Sequence, residues 1–160
     1  MQSSSPSSHF TDSVAVATEA PVGPPLIGAL LRMPWEVVRR RMLAALHERG
    51  FDDLEMPHLN VLQYPGPAGA RPSELAARLG MSKQALNYLL GELERFGYLE
   101  RRPDPDDLRS KRIALTSRGS SVIPVIREAV HEVERDWALE LGPERFDQLR
   151  ALLHDLNRLI

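Results

Sequence analysis

Residues 72–97 read PSELAARLGMSKQALNYLLGELERFG, and the fold turns on how this stretch is punctuated. Pro72 occupies a first-turn position, where a missing backbone donor does no harm, and Gly80 offers the left-handed exit that stops the helix it follows. Only Met81 intervenes before Ser82, whose hydroxyl suits an N-cap. A second helix therefore starts at once and runs to about Phe96, with Gly97 as its stop. Ala85, Leu86, Leu89, Leu90, Leu93 and Phe96 recur three or four apart and form its expected inward face. Two helices joined this closely make a helix-turn-helix.

The pattern extends on both sides. Downstream, residues 98–102 and 111–116 read as two short strands around the turn-rich segment 103–108, a hairpin or wing. Thr116 is a candidate N-cap for a long amphipathic helix marked by Val122, Ile126, Val130, Val133, Trp137 and Leu141, which ends at Gly142-Pro143. A final helix carries Phe146, Leu149, Leu152, Leu153, Leu156, Leu159 and Ile160. Upstream, Pro57 opens a short helix, and Ile27 to Leu46 carry a helical stripe that Pro34 is expected to kink or restart. Residues 1–25 contain six serines and four prolines without periodicity and read as a disordered tail. The expected class is mainly α with a small β wing: one domain over 26–160, a winged core at about 57–118, and long flanking helices at about 26–49 and 117–160.

The second helix of the pair presents Ser82, Lys83, Gln84, Asn87, Tyr88, Gly91 and Arg95 away from the leucines. Gln and Asn can pair bidentately with adenine, Lys can meet guanine or phosphate, and the free N–H groups of a first turn favour an anion. Any amphipathic helix has a polar face, but this one has no acid before Glu92, where an ordinary exposed helix favours Asp or Glu. The wing adds Arg101, Arg102, Arg109, Lys111, Arg112 and Arg118, with Arg109 the expected tip residue reaching phosphate or a narrow minor groove. Asp107 is placed to hold the Arg109 guanidinium in a bidentate pair. A charged loop without a target is the alternative for the wing taken alone.

Composition bounds the chemistry. The 160 residues are 42% hydrophobic and 26% charged, with no cysteine, which excludes disulfides, thiolate nucleophiles and zinc ribbons. The net charge of −2 conceals an excess of three positive charges over residues 71–118, a pointer to a polyanionic partner. The sequence shows no apolar run long enough to span a membrane and no signal peptide, so the expected compartment is the cytoplasm. The five histidines have no metal-ligand spacing, and no nucleophile elbow, phosphate loop or dinucleotide fingerprint occurs. The reading is therefore not an enzyme, with no cofactor and no metal.

Taken in order, Pro72-Ser73-Glu74-Leu75-Ala76, Met81-Ser82-Lys83-Gln84-Ala85, the run from Leu93 to Asp107, Arg109-Ser110-Lys111 and Leu115-Thr116-Ser117-Arg118-Gly119 resemble the winged helix-turn-helix of MarR-type transcriptional regulators. The resemblance implies a homodimer on palindromic double-stranded promoter DNA, usually a repressor, often released by a small aromatic ligand. By position it puts Ser82 to Tyr88 in the major groove and makes Asp107 and Arg109 the wing pair. Leu108 stands where a second basic residue is frequent, and Asn87 where Thr or Arg is common, so half-site preference does not transfer.

The resemblance also places an effector pocket between the first, second and post-wing helices, with Trp35, Met42, His58 and Leu62 as candidate lining. Plain core is the alternative for these four residues. The first helix, about 24 residues or roughly 36 Å, outruns a compact winged module, and the apolar stripe continues to the last residue. A two-fold partner covers such a stripe; an intramolecular bundle is the rival. The function classes left standing are a DNA-binding regulator, a protein-interaction adaptor, and a ligand-binding protein on a winged-helix fold.

Overall fold

The computed structural model describes residues 24–66, 68–107 and 109–159. The expected disordered tail lies outside them apart from residues 24 and 25, as do Leu108 and Ile160. Six helices and a two-stranded antiparallel sheet follow in the order α1 (Ile27–Glu48), α2 (Met56–Leu62), α3 (Pro72–Leu79), α4 (Lys83–Arg95), β1 (Leu99–Pro103), β2 (Lys111–Leu115), α5 (Ser117–Leu141) and α6 (Pro143–Asn157).

The two helices of the decisive stretch form as their punctuation dictates. Gly80 closes α3 with φ 61°, in the left-handed region, and the Met81 N–H returns to the Ala76 carbonyl at 3.0 Å. Ser82 then caps α4 by accepting from the Ala85 N–H at 3.1 Å. Leu86, Leu89, Leu90 and Leu93 are buried at i, i+3, i+4 and i+7, joined by the half-buried Phe96. Ala85 corrects the expected inward face: it lies at the border of that stripe, on the open first turn, and is exposed.

The core is one cluster, built by the α4 leucines, Met42 and Leu46 of α1, Leu54, Leu59 and Leu62, Leu75 of α3, Tyr98, Leu99 and Ile113, and Val122, Ile126 and Ala129 of α5. α1 packs along α5, but only its C-terminal half is buried. It is not restarted at Pro34: one helix runs through that residue, whose missing N–H falls on a half exposed to water, as Leu30 and Leu31 are.

The sheet pairs Leu99 with Leu115 through Pro103 with Lys111. A further bridge escapes the sequence: Ala70 exchanges both backbone hydrogen bonds with Ile113, at 2.9 and 2.8 Å, tying the segment before α3 to the wing. Single-residue pairing leaves no periodic trace to read.

Beyond this core most of the α6 stripe finds no cover among the described residues. Phe146 is buried, yet Leu149, Leu152, Leu156 and Leu159 are exposed, as are Leu26, Ile27, Leu30 and Trp35 at the other end. The rival intramolecular bundle over these leucines does not form among the described residues. No described helix is long and apolar enough to cross a membrane.

Where β1 meets α5 the packing leaves no room. Thr116 caps α5 by accepting from Gly119 N–H at 3.0 Å, while its own hydroxyl donates to Gly97 O at 2.6 Å. A Cβ on Gly119 would lie 2.1 Å from the Tyr98 carbonyl oxygen, which must then move with its strand. Gly119→Ala is expected to destabilise the fold by about 1–3 kcal/mol, a fall of several degrees in Tm by calorimetry. An unchanged Tm contradicts this packing.

Candidate nucleic-acid interface

Ser82, Lys83, Gln84, Asn87, Tyr88 and Arg95 are all exposed on the face of α4 opposite its buried leucines. The four leucines fix that orientation, because rotating the helix would bring amides into the core. The first turn contains no acid, so its free N–H groups and Lys83 meet no internal carboxylate there. Between this face, the start of α3 and the wing lies a cleft of about 370 Å³. Its walls include Arg71, Lys83, Arg101 and Lys111, with Ser73, Asn87 and Ser110 supplying neutral donors. Arg71 and Arg101 are paired with Asp104 and Glu94, whereas Lys83 and Lys111 make no ion pair among the described residues, so this groove beside a helix N-terminus is a candidate phosphate site.

The wing owes its position to an aspartate of the turn-rich segment 103–108 to which the sequence reading assigns no role of its own. Asp104 is fully buried. Its Oδ2 accepts from Arg71 Nε at 2.6 Å and its Oδ1 from the Asp106 N–H at 3.0 Å. Arg112 Nε lies 3.1 Å from Oδ1 without being aimed for a hydrogen bond, and Arg112 Nη2 donates to Asp106 at 3.1 Å. The Arg71 hydrogen bond, aided by the Asp106 N–H and the Arg112 charge, holds the Asp104 carboxyl down to about 2. In return, the Asp104 carboxylate raises the Arg71 guanidinium above its ordinary value. The wing is thereby stitched to the first turn of α3, and so to the helix pair.

At the tip the expected bidentate pair does not form. Asp107 Oδ1 accepts from the Arg109 backbone N–H at 3.1 Å and Oδ2 from the Ser110 hydroxyl at 2.7 Å. Both oxygens cap the turn, a local bond that outcompetes a distant guanidinium, and those two bonds lower the Asp107 carboxyl, Ser110 first. Asp107 presets the turn, not the arginine side chain.

The six wing cations also divide. Arg112 belongs to the Asp104 stitch. Arg118 donates to Phe96 O and to Asp53, both at 2.9 Å, and stacks 4.4 Å over the Tyr98 ring. Burial, then the Asp53 hydrogen bond, pushes the Tyr98 hydroxyl up to about 12. Arg102 pairs with Glu100, and Arg101 donates to Glu94 at 2.8 and 3.1 Å. Arg109 and Lys111 are exposed and make no ion pair among the described residues. Ion pairing inside the fold, invisible to a charge count, thus reduces six nominal contacts to two free ones plus Arg101 in the cleft.

The four candidate effector residues are not gathered in one described cavity. Met42, His58 and Leu62 are buried in the core, and Trp35 is half-exposed on α1. Leu62 lines a cleft of about 430 Å³ behind the wing with Ala114, Leu115, Ile123, Arg102 and Arg127. His58 has a different connection: its Nε2 faces Glu92 of α4 at 3.2 Å.

The family model described as the MarR family matches residues 49–110, which span this helix pair and most of the wing. The HTH-type transcriptional regulator YkoM of Bacillus subtilis is 33% identical over 107 residues, covering 66% of this chain and 68% of that protein. The transcriptional repressor MprA of Escherichia coli is 29% identical over 122 residues, covering 74% of this chain and 65% of the relative. Among solved structures, a MarR family protein of Mycobacterium tuberculosis in complex with DNA superposes with TM-score 0.63 at 25% identity, covering 83% of this chain and 98% of that one.

A carboxyl lowered on folding stabilises the protein above its unfolded value, here near 4, and that contribution disappears as pH falls through about 2. The Tm gap between wild type and Asp104→Asn is therefore expected to be widest above pH 4 and to close between about pH 4 and 2. A gap constant across that window removes the stitch as its cause.

Proposed function

The chain belongs to the MarR family of winged-helix transcriptional regulators, and on that premise we propose that it is a homodimeric repressor that reads palindromic promoter DNA with α4 and grips phosphate with the wing. The observation that carries this reading is the cleft between α3, α4 and the wing, where Arg71, Lys83, Arg101 and Lys111 converge beside an acid-free helix start. Gln84 and Asn87 on the first two turns of α4 have the amide chemistry for base edges, while Arg109 and Lys111 carry unpaired charge for the backbone.

The dimer reading is supported by the uncovered leucines of α6 and the exposed apolar start of α1. A two-fold partner buries both, and self-complementary interfaces of this type set two recognition helices about 34 Å apart, one turn of DNA. Repression is supported by the kinship with MprA and follows physically from occupancy, since a dimer seated on promoter DNA blocks other proteins from the same major-groove face. Binding to DNA is supported by the similar fold of the mycobacterial protein in its DNA complex.

Relief by a small aromatic anion is the last part of the reading. Its support is the cleft behind the wing, where Leu62, Ala114, Leu115 and Ile123 offer apolar contact and Arg102 and Arg127 offer charge. A ligand acts there only if it prefers a conformer whose recognition helices are wrongly spaced.

Salt-titrated binding to DNA selected from a genomic fragment pool tests the core of the reading. Lys111→Ala is expected to weaken binding on all sequences and lower the salt slope by about one, whereas Asn87→Ala costs about 1–3 kcal/mol at particular base pairs. Leu152→Glu with Leu156→Glu is expected to sediment as a monomer and lose most affinity. Equal losses from Lys111→Ala and Asn87→Ala on every sequence, or a dimer that survives both glutamates, overturn the corresponding part. Release of bound DNA by aromatic acids, absent in Arg127→Ala, checks the ligand site; an identical response in that variant removes it.

A further inference from the structure

A single line of hydrogen bonds runs from the core to the DNA-facing surface of α4. It begins at the backbone of Glu55, the N-cap of α2, whose N–H donates to His58 Nδ1 at 3.0 Å. His58 is only 3% exposed, and its ring meets the edge of Phe96 at a centroid distance of 5.8 Å. A neutral imidazole that accepts at Nδ1 carries its proton at Nε2. That Nε2 lies 3.2 Å from Glu92 Oε2, so His58 donates and the carboxylate accepts. The other oxygen, Oε1, lies 3.1 Å from the Tyr88 hydroxyl. An ionised carboxylate cannot donate, so the Tyr88 proton points inward to Glu92.

The amide of Glu55, which cannot reverse, fixes the His58 proton at Nε2, and the Glu92 carboxylate, which can only accept, fixes the Tyr88 proton toward itself. Tyr88 ends the line with its proton committed and only lone pairs facing outward. Tyr88 is 67% exposed, on the face that carries Asn87 and Gln84. The Glu92 hydrogen bond, then its charge, raises the tyrosine above its ordinary value, which keeps the proton in place. Arg95, 3.6 Å from Glu92 Oε1, adds charge at the same oxygen without displacing the hydroxyl.

We infer that Tyr88, held by Glu92 and His58, is a specificity residue that presents a hydrogen-bond acceptor to the major groove and so favours a base with an exocyclic amino group at the position it faces. In the major groove those bases are adenine, through N6, and cytosine, through N4. Guanine and thymine present acceptors at the matching edge and meet a lone pair instead. Glu92 and His58 are positioning residues: neither touches DNA, yet together they set the polarity of the group that does. This inference rests on the proposal that the outer face of α4 reads DNA.

The polarity can be inverted by one substitution. In Glu92→Gln the His58 Nε2–H still requires an acceptor, so the amide turns its oxygen to His58 and its NH₂ to Tyr88. The Tyr88 oxygen then accepts from that NH₂, and its proton is released outward as a donor.

The experiment is selection of bound duplexes from a randomised pool by wild type, Tyr88→Phe and Glu92→Gln, with Tm measured for each. Wild type is expected to show one position where the contacted strand carries adenine or cytosine, by about threefold to tenfold. Tyr88→Phe, altered only at an exposed atom, flattens that position and leaves the rest of the motif. Glu92→Gln changes it to guanine or thymine, an outcome that a purely structural role for Glu92 does not produce. A wild-type motif retained unchanged by both variants overturns the inference while leaving DNA reading by α4 intact. A wild type that selects no motif overturns DNA reading itself, and this inference with it.

Discussion

A buried carboxylate without partners is among the most unfavourable things a fold can contain, and the whole wing is arranged around keeping one paired. Asp104 has no contact with water, yet arginines from two different elements and a backbone N–H surround it. Arg71 comes from the residue before α3 and Arg112 from β2, so neutralising one charge joins a hairpin to a helix that is distant in sequence. The Ala70 bridge to Ile113 reinforces the same junction through the backbone. Removal of either arginine leaves the other to compensate a desolvated charge alone. The orientation of the cleft, and with it the spacing of Lys83 and Lys111, follows from that local electrostatic demand.

Arginine in this chain serves two masters, and the structure separates them. Arg112 and Arg118 are absorbed by internal carboxylates, carbonyls and a tyrosine ring, where the planar guanidinium satisfies several acceptors at once. Arg109 and Lys111, exposed on the wing, make no ion pair among the described residues. In a chain of net charge −2, the acids Asp104 and Asp53 hold the frame, while Lys83 and Lys111 leave positive charge without an ion pair along the α4 groove among the described residues. The long-range field of the molecule is weak, so attraction to a polyanion is local and strongest when the groove is aligned.

The helix-turn-helix was legible because Pro72, Gly80, Ser82 and Gly97 each act on their own few neighbours and because the leucines of α4 keep a helical period. The wing strands were legible for the same reason. Interactions between residues far apart in sequence were not. Asp104 looks like one more loop aspartate until Arg71 arrives from 33 residues upstream. Asp107 was assigned to a side chain when the nearer backbone had first claim on it. His58 was read among candidate ligand contacts, and nothing in its spacing reveals Glu92 across 34 residues. Ala85 fell to the wrong side because a helical stripe has a soft edge, decided by whichever neighbour happens to reach it.

The bare leucines of α6 reach beyond recognition to the life of the chain in a cell. If a second copy covers them, as proposed, the free energy of unfolding is not a constant but a function of abundance. Dilution favours opening, and an opened terminus of leucines is what proteases and chaperones engage. Scarcity then shortens lifetime, crowding of sister chains lengthens it, and the amount of regulator acquires a floor below which it does not persist.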